Sequence, residues 1–190
     1  MTLSPLQFWG HFSVGFTVTQ FQLWRLLTFQ FLHANLMHLL FNMLSLYIFG
    51  PMVERHLGSA RFARFYLICG AGGAVAYFAL YVKDVLIGSQ WVPLVGASAG
   101  IFGILIAAAR VAPNAVVMML FPPIPMRLRT LAWVFIGVAV YTILTRGRNA
   151  GGEAAHLGGA IVGFILMQGE RMLSDRAPER RRGPTPNDLH

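Results

Sequence analysis

The sequence predicts an all-α fold, a polytopic bundle of membrane helices with one domain's worth of length. Of its 190 residues 56% are hydrophobic and 12% charged, against about 25% charged in a soluble domain, and the mean hydropathy is +0.59. Apolar runs of roughly spanning length recur along the chain, separated by short polar loops, where about 20 apolar residues are needed to cross a bilayer as a helix. Glycines lie inside these runs as well as between them, and small residues let membrane helices approach closely.

Residues 1–35 predict an interfacial or re-entrant region. Phe8, Trp9, Phe12, Phe16, Phe21, Trp24, Phe29 and Phe31 alternate there with Gln, Thr, His and Gly, and aromatic side chains favour the headgroup level. The transmembrane core is expected over residues 36–169. Its first span runs from Leu36 to about Val53 and closes at Glu54-Arg55-His56 and Gly58. A second covers about Phe62 to Val82, with Gly70, Gly72 and Gly73 at its middle. The third, about Leu94 to Val111, is short, which suits a helix that begins below the surface beside a cavity. Ala115 to Met126 is apolar but carries Pro122, Pro123 and Pro125, so it is placed along the interface. The fourth and fifth spans are about Leu128 to Thr145 and about Ala154 to Gln168. Residues 170–190, with Arg180-Arg181-Arg182 and two prolines, predict a solvated, disordered tail.

The formal charge is +8. No aromatic-interleaved basic patch accompanies it, so nucleic acid is not an expected partner. If the chain alternates sides, the loops around Arg55–Arg64 and Arg110–Arg129 fall with the tail, leaving Arg25, Lys83, Arg146 and Arg148 opposite. The positive-inside rule then makes the tail cytoplasmic. No cleavable signal peptide is expected, because Met1 to Gly10 lacks a basic start followed by an apolar core. The single cysteine, Cys69, lies in an apolar run and excludes an internal disulfide.

With this topology Leu36, Leu94 and Ala154 all begin spans at the outer face, which brings His38, Ser98 and His156 to one depth. A serine in a membrane helix ordinarily serves packing; several polar and ionisable side chains at one level mark a site. Ser98 is the single hydroxyl of the glycine-rich run Leu94 to Gly103, and His156 heads a second one, Ala155 to Gly163. Two such helices can pack backbone to backbone and pair the hydroxyl with the imidazole, a nucleophile with its base. His38 and Asn42 share one helix face at four-residue spacing and both can donate hydrogen bonds. Phe102, one turn after Ser98, is placed either against the His156 ring or in ordinary packing. Glu153, three residues before His156, is assigned to an exposed loop, so a dyad is expected rather than a triad. No metal or cofactor is implied: His11 and His33 lack tight ligand spacing, and no His-Glu-x-x-His occurs.

These residues together resemble the rhomboid intramembrane serine proteases. Gly96-Ala97-Ser98 followed by a small residue is similar to their Gly-x-Ser-Gly motif, with Ala99 at the last position. Ala155-His156-Leu157-Gly158-Gly159, with Gly163 beyond, resembles their final catalytic helix. His33 to Asn42, Trp24-Arg25 and Glu54-Arg55 with Leu57-Gly58-Ser59 resemble further family segments, so the likeness covers about Phe21 to Gly169. It implies a rhomboid-like bundle with Ser98 as nucleophile and His156 as general base and acid. The Ser98 amide, His38 and Asn42 would form the oxyanion hole, beside Gly96. Gly159 and Gly163 would let the last helix pack closely on the Ser98 helix. It implies transmembrane protein substrates, usually single-pass, cut near the outer membrane face. The family core has six spanning helices where five are counted here, so a further helix is expected ahead of the aromatic first segment. The resemblance places the chain in a lipid bilayer, the bacterial cytoplasmic membrane, and is silent on oligomeric state. An alternative is a weak or inactive rhomboid-like protein that binds transmembrane clients. A small transporter is the third class, but the internal repeats that would support it are not seen.

Overall fold

The computed structural model describes residues 4–86, 88–119 and 123–176. Its long helices follow the apolar runs. Helix α1 is Pro5–Gly10, α2 Arg25–Thr28, α3 Leu36–Leu57, α4 Ser59–Val82, α5 Ser98–Val111, α6 Leu128–Leu144 and α7 Ala150–Arg176. Among the described residues, three helical stretches are long and apolar enough to cross a membrane: Leu36–Leu57, Ser59–Val82 and Ala150–Gly169. Two shorter apolar helices, Ser98–Val111 and Leu128–Leu144, complete the five. Large apolar side chains such as Tyr47, Trp133 and Leu144 point outward, as a helix bathed in hydrocarbon requires.

Helix α5 is the axis of the bundle. Ala99, Gly100, Ile101 and the run Gly103 to Ala108 are all buried, and α3, α4, α6 and α7 pack around it. In a bilayer no hydrophobic force drives helices together, so close van der Waals fit must do it. The α5–α7 contact depends on two glycines: a Cβ on Gly159 would fall on the Ala99 carbonyl, and one on Gly163 would press into the Gly103 backbone. Phe49, Val53, Phe65, Cys69, Ile104 and Leu128 form the core toward one end of the bundle. Phe12, Phe29, Ala74, Tyr77 and Ile143 form a second core at the other.

Residues 4–35 fold over that second end. Ser4 caps α1, its hydroxyl accepting from the Gln7 amide at 3.2 Å while the Gln7 side chain accepts from the Ser4 amide at 2.9 Å, a reciprocal capping box. A π-helical turn at Gly15–Thr19 and a 3-10 turn at Phe29–Phe31 follow. Arg25 is fully buried. It donates to the carbonyls of Phe8 at 2.9 Å and His11 at 2.7 Å and to Gln22 Oε1 at 2.7 Å, and lies over the Phe16 ring. A buried guanidinium is tolerated only when its N–H groups are paired; here they tie three turns of the loop together.

This region also holds the chain that leads into α5. Phe12 and Leu94 exchange backbone hydrogen bonds of 3.1 and 2.8 Å, and the Gly96 amide donates to the Phe29 carbonyl at 3.0 Å. The stretch before Ser98 is therefore extended and clamped, whereas the hydropathy of Leu94 to Val111 alone predicted one span. Helix α7 departs from expectation in the opposite sense: it begins at Ala150, a full turn before the expected Ala154. Gly151-Gly152 hid that start, since glycine is among the poorest helix formers.

The apolar segment after α5 is a small antiparallel hairpin. Strand β1, Val116–Met118, pairs with β2, Pro125–Arg127, with Val117 opposite Met126. Its valines favour a pleated conformation. Residues 120–122, Pro122 among them, lie outside the described residues. Of the expected tail, residues 170–176 instead continue α7, and residues 177–190 lie outside the described residues.

Candidate functional site

Close approach of α5 and α7 brings Ser98 and His156, 58 positions apart, into contact. His156 Nε2 lies 2.7 Å from Ser98 Oγ. Ser98 is the first residue of α5, where the backbone N–H groups of a helix lack intrahelical partners and its dipole is positive. Both side chains open on a cavity of about 520 Å³, which His38, Gly96, Arg146 and Arg148 also line.

Gly96 has φ +135°, a conformation L side chains rarely adopt. A Cβ there would lie 2.9 Å from His38 Nε2 and 3.5 Å from Ser98 Oγ. The bare α-carbon therefore keeps open a gap bounded by the hydroxyl and the His38 ring. Helix α3 supplies that ring. Asn35 caps the helix, its Oδ1 accepting from the His38 amide at 2.8 Å. His38 Nδ1 accepts from the Ala34 amide at 3.3 Å, so the neutral ring carries its proton on Nε2, the atom facing Gly96.

Asn42 is buried one turn further along α3, and its Nδ2 has no hydrogen-bond partner among the described residues. It is not among the residues lining the cavity. Phe102 stacks on His156 with ring centroids 4.2 Å apart and planes 10° from parallel, and meets Phe135 of α6 edge-on at 5.8 Å. Of the two placements open for it, the structure selects the one against the imidazole.

Glu153 corrects the sequence reading. It lies in the first turn of α7, with its side chain only 15% exposed, and Oε2 is 2.9 Å from His156 Nδ1. Its other oxygen accepts from Asn149 Nδ2 at 3.1 Å. Moving the helix start back one turn converts a loop residue into an i, i+3 neighbour of the histidine. The asparagine just before Ala150, a common helix-capping residue, was the signal that could have placed that start.

Beside the site, His33 stands edge-on to His38 at 5.3 Å. Burial, and then the neighbouring imidazole, hold its pKa below the ordinary histidine value.

The fold and this site define a class: a helical membrane bundle in which a serine at a helix start meets a histidine from a glycine-packed neighbour. The family profile described as the Rhomboid domain matches residues 20–169. The chain belongs to the rhomboid family, and it is a multi-pass integral membrane protein. It is 34% identical to rhomboid protease GluP of Bacillus subtilis over 152 residues, 78% of this chain and 26% of that protein. To rhomboid protease AarA of Providencia stuartii it is 31% identical over 161 residues, 75% of this chain and 54% of that protein. RHOMBOID-like protein 4 of Arabidopsis thaliana is 38% identical over 100 residues, 53% of this chain and 23% of that protein. The chain thus spans between 23% and 54% of the length of these relatives.

Proposed function

We propose that the protein is an intramembrane serine protease that hydrolyses peptide bonds in or near the transmembrane segments of membrane-protein substrates. The observation that carries this reading is the 2.7 Å contact between Ser98 Oγ and His156 Nε2 at the wall of a cavity. Its support from relatives is that two of them are named rhomboid proteases.

In the proposed reaction the Ser98 hydroxyl passes its proton to His156 Nε2 as Oγ bonds to the scissile carbonyl carbon. The carbonyl π electrons move onto oxygen. The Ser98 N–H and His38 Nε2–H are the donors for that oxyanion, acting in a site of low dielectric where such donors count most. Collapse of the tetrahedral species breaks the C–N bond, and His156 returns the proton to the leaving amine. Water, deprotonated by His156, then releases the acyl group from Ser98. Asn42 acts as a further donor once substrate is bound. Phe102 supports the imidazole.

The same reading places the C-terminal tail in the cytoplasm, from the distribution of basic residues, and the cavity toward the outer face of a bacterial cytoplasmic membrane.

The test is cleavage of a single-pass transmembrane reporter by the purified protein in detergent, with fluorophosphonate labelling beside it. Wild type is expected to cut and to be labelled, and both Ser98→Ala and His156→Ala are expected to lose cleavage. Cleavage that survives Ser98→Ala, or a folded wild type that neither cuts nor labels, overturns the proposal; the second result points to client binding without hydrolysis.

A further inference from the structure

Resting on that reading, we infer that Glu153 is the positioning residue of the site, and that Asn149, Glu153, His156 and Ser98 form one hydrogen-bonded relay. Each link has hydrogen-bond geometry: Asn149 Nδ2 to Glu153 Oε1 at 3.1 Å, Glu153 Oε2 to His156 Nδ1 at 2.9 Å, and His156 Nε2 to Ser98 Oγ at 2.7 Å.

The direction of every bond follows from the groups. An ionised carboxylate only accepts, so His156 Nδ1 carries the proton and donates it to Glu153. A neutral imidazole with its proton on Nδ1 has a lone pair on Nε2, and the Ser98 hydroxyl must donate to it. This is the tautomer a general base needs. Without Glu153 the ring is free to carry its proton on Nε2 instead. It would then donate to Ser98 Oγ and be unable to take the serine proton.

Burial strengthens the assignment. The Glu153 and His156 side chains are 15% and 16% exposed, and a carboxylate at such a depth is costly unless its oxygens are bonded. Both oxygens are: one to the histidine, the other to Asn149. A solvated surface glutamate would need neither. The arrangement also holds as His156 takes up the serine proton, because the carboxylate then faces an imidazolium and no group has to reorient.

The experiment compares wild type with Glu153→Gln, Glu153→Asp and Asn149→Ala in micelles by reporter kinetics and by ¹⁵N NMR of labelled histidine. The expected result is a fall in kcat of about a hundredfold or more for Glu153→Gln, from loss of the correct tautomer, with KM little changed. Glu153→Asp recovers part of that loss because it restores a carboxylate. The His156 spectrum is expected to show a protonated Nδ1 in wild type and a shift toward protonated Nε2 in Glu153→Gln. Asn149→Ala, which leaves the carboxylate in place, lowers kcat by only a few-fold.

An active wild type with an unchanged kcat and an unchanged histidine spectrum in Glu153→Gln overturns the inference while leaving the protease reading intact. A wild type without activity defeats the protease reading, and the tautomer then decides the role of Glu153 by itself. If Glu153→Gln does not fold, Glu153→Ala, which also removes the carboxylate, carries the same measurement, and a wild-type kcat and histidine tautomer in that variant overturn the inference.

Discussion

The Phe102 ring lies flat on the His156 imidazole, with centroids 4.2 Å apart and planes 10° from parallel. The contact joins α5 to α7 one turn below the Ser98–His156 hydrogen bond, so the imidazole is held by a stack on one face and by hydrogen bonds at both nitrogens. Aromatic pairs of this kind contribute about 0.5–1.5 kcal/mol beyond their buried area. Phe102→Ala is therefore expected to lower kcat by about tenfold in the reporter assay, and Phe102→Tyr, which keeps the ring, by much less. Equal activity in the alanine variant would show that the hydrogen bonds alone hold the imidazole.

Gly159 tests the packing that brings the pair together. A methyl group there would fall on the Ala99 carbonyl, and backbone cannot move aside as a flexible side chain can. Overpacking of this sort costs about 1–3 kcal/mol. Gly159→Ala is expected to lower the thermal unfolding midpoint in detergent and to abolish reporter cleavage by parting α5 from α7. Gly137, whose added Cβ would meet nothing within 4 Å, is the matched control: Gly137→Ala should leave the midpoint at or above the wild-type value.

Gly96 separates strain from crowding. Its φ of +135° penalises any side chain, and an added Cβ would also press on the His38 ring. Gly96→Ala should lose most cleavage. Stability separates the two causes: with the crowding ring removed, the Gly96→Ala, His38→Ala double variant should still unfold at a lower temperature than His38→Ala alone. Equal midpoints in those two variants would assign the defect to crowding alone.

Arg25 tests whether the first 35 residues hold the site from a distance. Its guanidinium bonds Phe8, His11 and Gln22, and the same loop pairs with Leu94 just before Ser98. Arg25→Ala leaves the buried His11 carbonyl and the partly buried Phe8 carbonyl without this donor, at a cost of about 1–3 kcal/mol for the buried one. Limited proteolysis should then cut within the first 35 residues before it cuts the bundle, with cleavage activity falling in parallel. An unaltered digestion pattern would mean the loop stays docked without its arginine.

The same loop predicts a pH dependence of stability. His11 is buried, its Nδ1 donating to the Gln7 carbonyl at 2.8 Å. Burial first, and then the charge of Arg25, hold its pKa below the ordinary value near 6.5. The unfolded chain takes up a proton near 6.5 while the folded chain resists, so the unfolded state binds more protons as the pH falls. His33, also lowered by burial and by His38, acts in the same sense. Stability is thus fully present above about pH 6.5 and is lost progressively below it. Thermal midpoints measured from pH 7.5 to 5 should fall, and His11→Gln should flatten the profile; an identical slope in that variant would remove His11 as a cause.

Much of the site was legible because membrane burial makes composition informative. A polar side chain in a 20-residue apolar run is conspicuous, so Ser98, His38, Asn42 and His156 stood out before any geometry was known. The glycines at 159 and 163 likewise marked the surface where α7 approaches α5. Glu153 did not stand out, since it borders the polar loop from Arg146 and follows two glycines that disguise the start of α7. Its role depends on one turn of helix, and hydropathy sets helix ends only to within a few residues.

What the sequence by itself determined is the set of apolar helices, the depth at which their polar residues lie, and the small residues that permit close packing. These follow from local periodicity and from the cost of placing polar groups in hydrocarbon. The tertiary structure alone decided that the N-terminal aromatic loop clamps Leu94 and Gly96, that Phe102 turns to the imidazole, and that Glu153 reaches Nδ1. The first two depend on how whole elements fit against one another, which no local run of residues encodes. The third depends on the turn at which α7 begins, which hydropathy sets only to within a few residues.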